Sequence, residues 1–397
     1  MNYNSLPIIS SIVVVVVVTV TAMIFAQGNN NIVYSLLLPS KQFSANALQS
    51  SSSSSFSLAQ TIAIPNVNGR IDHMAIDVRG QRLFVAELGN NSLDVISLKA
   101  AKRIQSISNN GLLNEPQSVL FIPELNRIFV SNGQDGTVDV FDAKSFRLIK
   151  KIRLPSNDAD NMRYDPNSKL VYVGYGEGSH RIINATNYNI VGTISLNGHP
   201  ESFQIEAEKQ ASGQKQRIFV NIPQSNSIEV VDSQKHTVSK TWAITNAKNN
   251  FPMALDEANH RLFVGTRDPP KLMVFDTNSG KVVSVLNIAN DADDIFYDAA
   301  RKRIYVSCGQ GFINIFQQQD ANHYSALAAV PTAQGARTSL FISELHRFYL
   351  AVPHIADQQS EITCLSGRMI RKMLQFISCT LLKNTISEDA ALHEKVV

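Results

Sequence analysis

The sequence predicts an all-β fold, a seven-bladed β-propeller of four-stranded antiparallel blades, on three observations. A strand with one aromatic position recurs seven times, as QRLFVAE, NRIFVSN, KLVYVGY, QRIFVNI, HRLFVGT, KRIYVSC and HRFYLAV. The aromatic residues are Phe84, Phe129, Tyr172, Phe219, Phe263, Tyr305 and Tyr349, at spacings of 45, 43, 47, 44, 42 and 44 residues. That period suits a four-stranded blade and is too long for leucine-rich or ankyrin units. The strand is also apolar at consecutive positions, as in Leu83, Phe84 and Val85. Both faces of its sheet must therefore be covered, which neighbouring blades in a ring provide and a lone sheet does not.

The elements follow in chain order. Residues 8–26 form an uncharged apolar stretch long enough to cross a bilayer of roughly 30 Å as a helix. Residues 1–26 are therefore expected to be a signal peptide or an N-terminal membrane anchor, and either places the body outside the cytoplasm. Residues 27–57, with successive serines at 50–55, bury too little to offset chain entropy and read as a flexible linker. Residues 58–362 carry the propeller. In each unit a short strand such as DHMAID or DDIFYD precedes the aromatic strand. A Gly/Asn/Asp-rich turn and a third strand such as SLDVISL or TVDVFDA follow, and a fourth such as VSKTWAI closes the unit. Four strands in one period leave only tight turns, so each unit is a meander. The seventh unit lacks a fourth strand, and LAQTIAI at 58–64 has the pattern to supply it and close the ring. Residues 363–397 form a divergent tail in which Met369, Ile370, Met373, Leu374, Ile377 and Leu381 recur at helical spacing.

Composition narrows the function classes. Lys plus Arg (36) against Asp plus Glu (33) leaves +3, too even a balance for a nucleic-acid surface. Three cysteines, Cys308, Cys364 and Cys379, show neither a disulfide framework nor zinc spacing. There is no GxSxG, HExxH or Walker loop, and the Gly-rich segments VGYGEGS and SCGQGFI fall between strands, where they serve as hairpin turns. No catalytic residue is assigned, and the chain reads as a monomer whose contact with a membrane would run through its N-terminal segment.

The R-[IL]-[FY]-V strands, with GRIDHMAID, NDADNMRYD, NGHPESFQIE, FPMALD and NDADDIFYD before them, resemble the YVTN-type, YncE-like seven-bladed propellers of bacteria and archaea. The resemblance covers residues 58–362 and implies an exported or surface protein without an established reaction. The WD signature is absent: the one tryptophan, Trp242, has no GH…WD pairing.

Propellers bind where the innermost strands enter the central channel, because side chains from every blade converge there. The aligned positions at the start of the first strand read Asp72-His73, Gln117-Ser118, Asp160-Asn161, Glu201-Ser202, Phe251-Pro252, Asp293-Asp294 and Arg337-Thr338. Two residues earlier stand Glu115, Asp158, His199 and Asp291. The expected ligand-binding set at the channel mouth is Asp72, His73, Glu115, Gln117, Asp160, Asn161, His199, Glu201, Asp293, Asp294 and Arg337. Convergent carboxylates with two histidines suit a hard divalent cation such as Ca²⁺, or the polar and cationic groups of a ligand. They equally suit a solvated rim whose acids accept backbone N–H groups. The expected function is an extracytoplasmic binding or scaffold propeller that presents this mouth to a small ligand or protein partner. The alternative is a metal-dependent propeller enzyme, a lactonase-like hydrolase or a quinoprotein-like dehydrogenase. Another set of acids, Asp77, Asp165, Glu206, Asp256 and Asp298, ends each first strand in a turn sequence and reads as structural. Arg82, Arg261 and Arg303, five residues after three of them, are expected to face those acids across the turn.

Overall fold

The computed structural model describes residues 56–108, 111–207 and 215–367. The expected signal or anchor segment, the serine run and the helical pattern of the tail lie outside these residues. Among the described residues no helix is long and apolar enough to cross a membrane.

Seven four-stranded antiparallel sheets account for all the strands among the described residues. Blade one, for example, runs outward through Met74–Asp77, Arg82–Glu87, Ser92–Ser97 and Lys102–Ile107. The inner strands of the seven blades are Met74–Asp77, Pro116–Ile122, Met162–Asp165, Phe203–Ile205, Lys248–Asp256, Ala292–Asp298 and Ser339–Ile342. Each touches the next, and the last touches the first, so they form a complete circle. The sheet order of blade seven from outside inward is Phe56–Ala63, Glu361–Gly367, Arg347–Val352 and Ser339–Ile342, with Ile62 opposite Ile362. Its outer strand starts at Phe56, inside the segment assigned to the linker, and its third strand runs five residues beyond 362 to Gly367. The extension has a packing reason: Cys364 and Leu365 are buried.

The apolar interior is divided into seven cores, one between each pair of neighbouring blades. Phe84 and Ile128 share the core between blades one and two, and Tyr349 and Leu83 share the one between blades seven and one. All seven repeated aromatic residues are buried. The blades are thus held by face-to-face burial rather than by a central hydrophobic nucleus, and each sheet depends on two neighbours.

Four of the turn acids, Asp77, Asp165, Asp256 and Asp298, cap their own turns, Glu206 pairs with Arg217 instead, and two of the expected arginine partners go elsewhere. Asp77 accepts the Gly80 N–H at 2.8 Å and Arg82 Nη2 at 2.7 Å, as the spacing predicts. Arg261 instead donates to Asp276 at 2.6 Å, leaving Asp256 to Asn259 and Gln318. Arg303 donates to Gln317, and Asp298 takes Arg301. Both arginines open the second strand of their sheets, between the turn acid of the first strand and Asp276 or Gln317 of the third, and each turns to the third-strand side while the turn acid is taken by a residue of its own turn.

Candidate functional site

The loops that enter the inner strands meet at one end of the ring. Five of them place a residue with positive φ two positions before the aligned pair: Glu115 (55°), Asp158 (61°), Asn249 (59°), Asp291 (62°) and Gly335 (76°). Gly, Asn and Asp tolerate that backbone best. The acids at Asp158 and Asp291 are therefore suited to the turn itself. The Glu115 side chain is exposed and contributes only its backbone, donating N–H to Asn91 and accepting from Gly133. Gly309 serves the same rim: a Cβ there would lie 2.1 Å from Asp291 Oδ2.

A chain of polar contacts then runs from blade to blade. The His73 N–H donates to the Gln117 carbonyl (3.1 Å), and the Gln117 amide donates to Asp158 (3.2 Å). The hydroxyl of Ser131 donates to the Asp160 carbonyl (2.7 Å). On blade four His199 reaches back to blade three, its Nδ1–H donating to the Gly176 carbonyl at 2.6 Å. Asn221 donates to the Phe251 carbonyl (2.9 Å), and Arg267 donates to the Ala292 carbonyl (2.9 Å) and to Asp293. From blade seven Arg337 donates to Asp291 (2.7 Å), Thr338 to the Ile71 carbonyl (3.2 Å), and the Ser339 N–H to Asp294 (2.7 Å). His73 of blade one lies 3.9 Å from Asp294 of blade six, reaching past the intervening blade seven.

The aligned acids are thus brought together, but not as an acidic ring. Three arginines that the alignment did not single out stand among them. Arg70 pairs with Asp72 at 3.1 Å. Arg267 pairs with Asp293 and lies 4.0 Å from the centre of the Phe251 ring, which explains an aromatic residue at that aligned position. Arg163 stacks 5.5 Å from the Phe203 ring and donates to the Met162 carbonyl, within the fields of Asp294 and Asp160. The only sequence signal for any of them was Arg70 just before, and Arg163 within, a DHMAID-type strand.

Charge divides the mouth into two halves. Around Asp293, burial favours the neutral acid, but Arg337 and Arg267 outweigh it and hold the carboxyl below its ordinary value. The other half is less well compensated. Burial pushes Glu201 up to about 8, with Asp160 adding to the effect, and pushes Asp294 up to about 7. Burial also raises Asp72 to about 6 against the pull of Arg70. Burial works against charge on His199, but Asp160, the Gly176 carbonyl and Asp158 raise it to about 9. His73 is likewise held above its ordinary value, burial being outweighed by Asp72 and Asp294. Buried polar atoms without a hydrogen-bond partner include Asp72 Oδ2 and Asn161 Oδ1. One atom each from Asp160, His199 and Glu201 lie within 4.8 Å of one another.

No family model matches the chain. Among curated proteins it is similar to the uncharacterized protein YncE of Salmonella typhi, 24% identical over 181 residues, covering 44% of this chain and 48% of that protein. It is also similar to YncE of Salmonella typhimurium, 26% identical over 124 residues, covering 31% of this chain and 34% of that protein. The chain thus spans about half the length of the first relative and a third of the second. A chain of Kuenenia stuttgartiensis hydrazine synthase superposes with TM-score 0.63 at 16% identity, covering 75% of this chain and 97% of that one. A chain of a mitotic checkpoint complex superposes with TM-score 0.66 at 11% identity, covering 84% and 98%. At such identities the structural likenesses speak to the fold alone. The chain is a β-propeller that resembles YncE.

Proposed function

We propose that this chain is an extracytoplasmic binding propeller whose channel mouth takes a small polar ligand with a cationic group. One observation carries the reading: Asp72, Asp160, Glu201 and Asp294 of four separate blades meet in a half of the mouth where burial raises three of these carboxyls. A self-sufficient scaffold network would pair such groups, whereas an incoming cation replaces the proton and restores the missing charge. The exterior location rests on the apolar stretch at residues 8–26. N-terminal sequencing of the mature protein, with membrane fractionation, tests whether that stretch is cleaved or retained.

The binding test is a thermal shift of the full chain with spermidine as probe, compared with Glu201→Gln. Stabilisation of the parent chain that strengthens as pH rises through about 8, where Glu201 ionises, and that weakens at least about tenfold in the variant supports the reading. No shift, or an equal shift in both proteins, refutes it. The enzyme alternative draws on the grouping of Asp160, His199 and Glu201. It requires that a metal ion held there activate a water or carbonyl, and it predicts turnover lost in the same variant.

A further inference from the structure

The side chains of Asp160, His199 and Glu201 each bring one potential ligand atom to within 4.8 Å of the others, and Asp158 Oδ2 stands 3.3 Å from His199 Nδ1 beside them. His199 is oriented by donating Nδ1–H to the Gly176 carbonyl at 2.6 Å, which leaves Nε2 as the ring's free lone pair in the neutral form. Metal-ligating histidines typically use the distal nitrogen in this way to fix tautomer and ring plane. That Nε2 sits 3.7 Å from Asp160 Oδ2, too far for a good hydrogen bond. With metal–ligand bonds of about 2.0 to 2.2 Å, two ligands at a near-tetrahedral angle stand about 3.5 Å apart, close to the observed gap.

A second observation points the same way. Asp160 is 7% exposed, and among the described residues neither of its carboxylate oxygens receives a hydrogen bond, although its carbonyl is held by Ser131. Its oxygen is aimed at the His199 ring instead. The Glu201 carboxylate is likewise without a hydrogen-bond donor among the described residues, while its backbone N–H is anchored on the Asn221 carbonyl at 3.1 Å. Three potential ligand atoms from blades three and four are therefore held close together on anchored backbones, with neither carboxylate engaged by a hydrogen-bond donor among the described residues.

We propose that Asp160, His199 and Glu201 form a site for one divalent first-row transition metal ion, with a coordination position left open toward the channel. One imidazole with two carboxylates selects this class over Ca²⁺, which takes six to eight oxygens. Two carboxylates neutralise the ion's charge, and Arg70 and Arg163 nearby temper the affinity. The proposal rests on the reading of the mouth as a cation site and narrows it to one locus and one ligand class.

The experiment is a titration of the full chain, stripped with EDTA, with Co²⁺ followed by Zn²⁺. The expected result is one Co²⁺ per chain with the visible absorption of a four- or five-coordinate ion, displaced by Zn²⁺. Glu201→Gln and His199→Gln should each weaken binding at least about tenfold. Circular dichroism verifies the fold of both variants, and the near-isosteric Glu201→Gln stands alone if His199→Gln does not fold. Absence of stoichiometric metal, or undiminished binding in Glu201→Gln, overturns the proposal. A spermidine response without bound metal overturns it while leaving the binding reading intact, and loss of both responses overturns both.

Discussion

His180 offers a direct test of how closely the blades pack. It lies on the strand Ser179–Asn184, 0% exposed, with its ring 4.3 Å from that of Phe203 and no hydrogen-bond partner on either nitrogen. Burial, with smaller contributions from His199 and Arg163, holds the ring at about 3 against an ordinary 6.5. The unfolded chain therefore binds a proton between these values that the native chain refuses. The stability associated with the neutral ring is complete above about 6.5 and is lost as pH falls toward 3. At about 1.4 kcal/mol per unit, two units below the unfolded value cost about 3 kcal/mol near pH 4.5. His180→Leu removes the titration and the orphaned ring nitrogens while keeping an apolar contact with Phe203. Urea unfolding of both proteins near pH 7.5 and 4.5 is the assay. The variant should be at least as stable at the higher pH, and its advantage should grow by about 3 kcal/mol at the lower one. Parallel pH dependence in the two proteins would refute the reasoning.

Glu87 tests the opposite sign. It is fully buried beside Asp94, accepts from Ser92 and Asn90, and is raised to about 9 by burial and by that neighbour. Its stabilising contribution is whole below the unfolded value near 4.5 and is lost as pH rises toward about 9. Glu87→Gln should therefore stabilise the protein by about 3 kcal/mol near pH 7 and by little near pH 4.5, read by urea unfolding. Arg267→Met removes one of the two arginines pairing with Asp293 and should cost about 3 kcal/mol, with part of the loss recovered by adding Asp293→Asn; a double-mutant cycle without coupling would contradict the pairing. Cys308 and Cys364, both 0% exposed with their thiols pushed up by burial (Cys308 to about 12), should resist a thiol-specific reagent in the native protein and react together on unfolding, measured as two thiols in a Cys379→Ser background.

The ring was legible because every blade repeats the same local pattern: one aromatic position, two covered faces and tight turns are written within each period. The acids of the mouth were legible for the same reason, since Asp72, Asp160, Glu201 and Asp293 fall in one aligned column. Their partners were not. Arg70 precedes its inner strand, Arg163 lies within one, and Arg267 lies in the second strand of its sheet, so no shared offset marks them. Arg163 and Arg267 are placed by a contact with another blade or by a stacked ring, information that exists once the circle is built, and Arg70 by the acid two residues after it. The same limit explains Arg261 and Arg303, which stand between two flanking strands and turn to the third-strand side chains Asp276 and Gln317 rather than to the turn acids five residues away. Glu115 stands apart for a different reason: its backbone fits the loop, and its side chain is left in solvent.

The circle itself is tested most directly by its outer strand in blade seven. Ile62 and Ile64 are both 0% exposed in the core between blades seven and one. Deleting residues 56–64 from the full chain removes both, together with the pairing to Glu361–Gly367. Two lost isoleucines cost about 5 kcal/mol or more, which corresponds to a melting temperature lower by about 10 °C. A cooperative melt depressed by at least that much is the predicted result, and a melt that coincides with that of the intact chain would contradict the account.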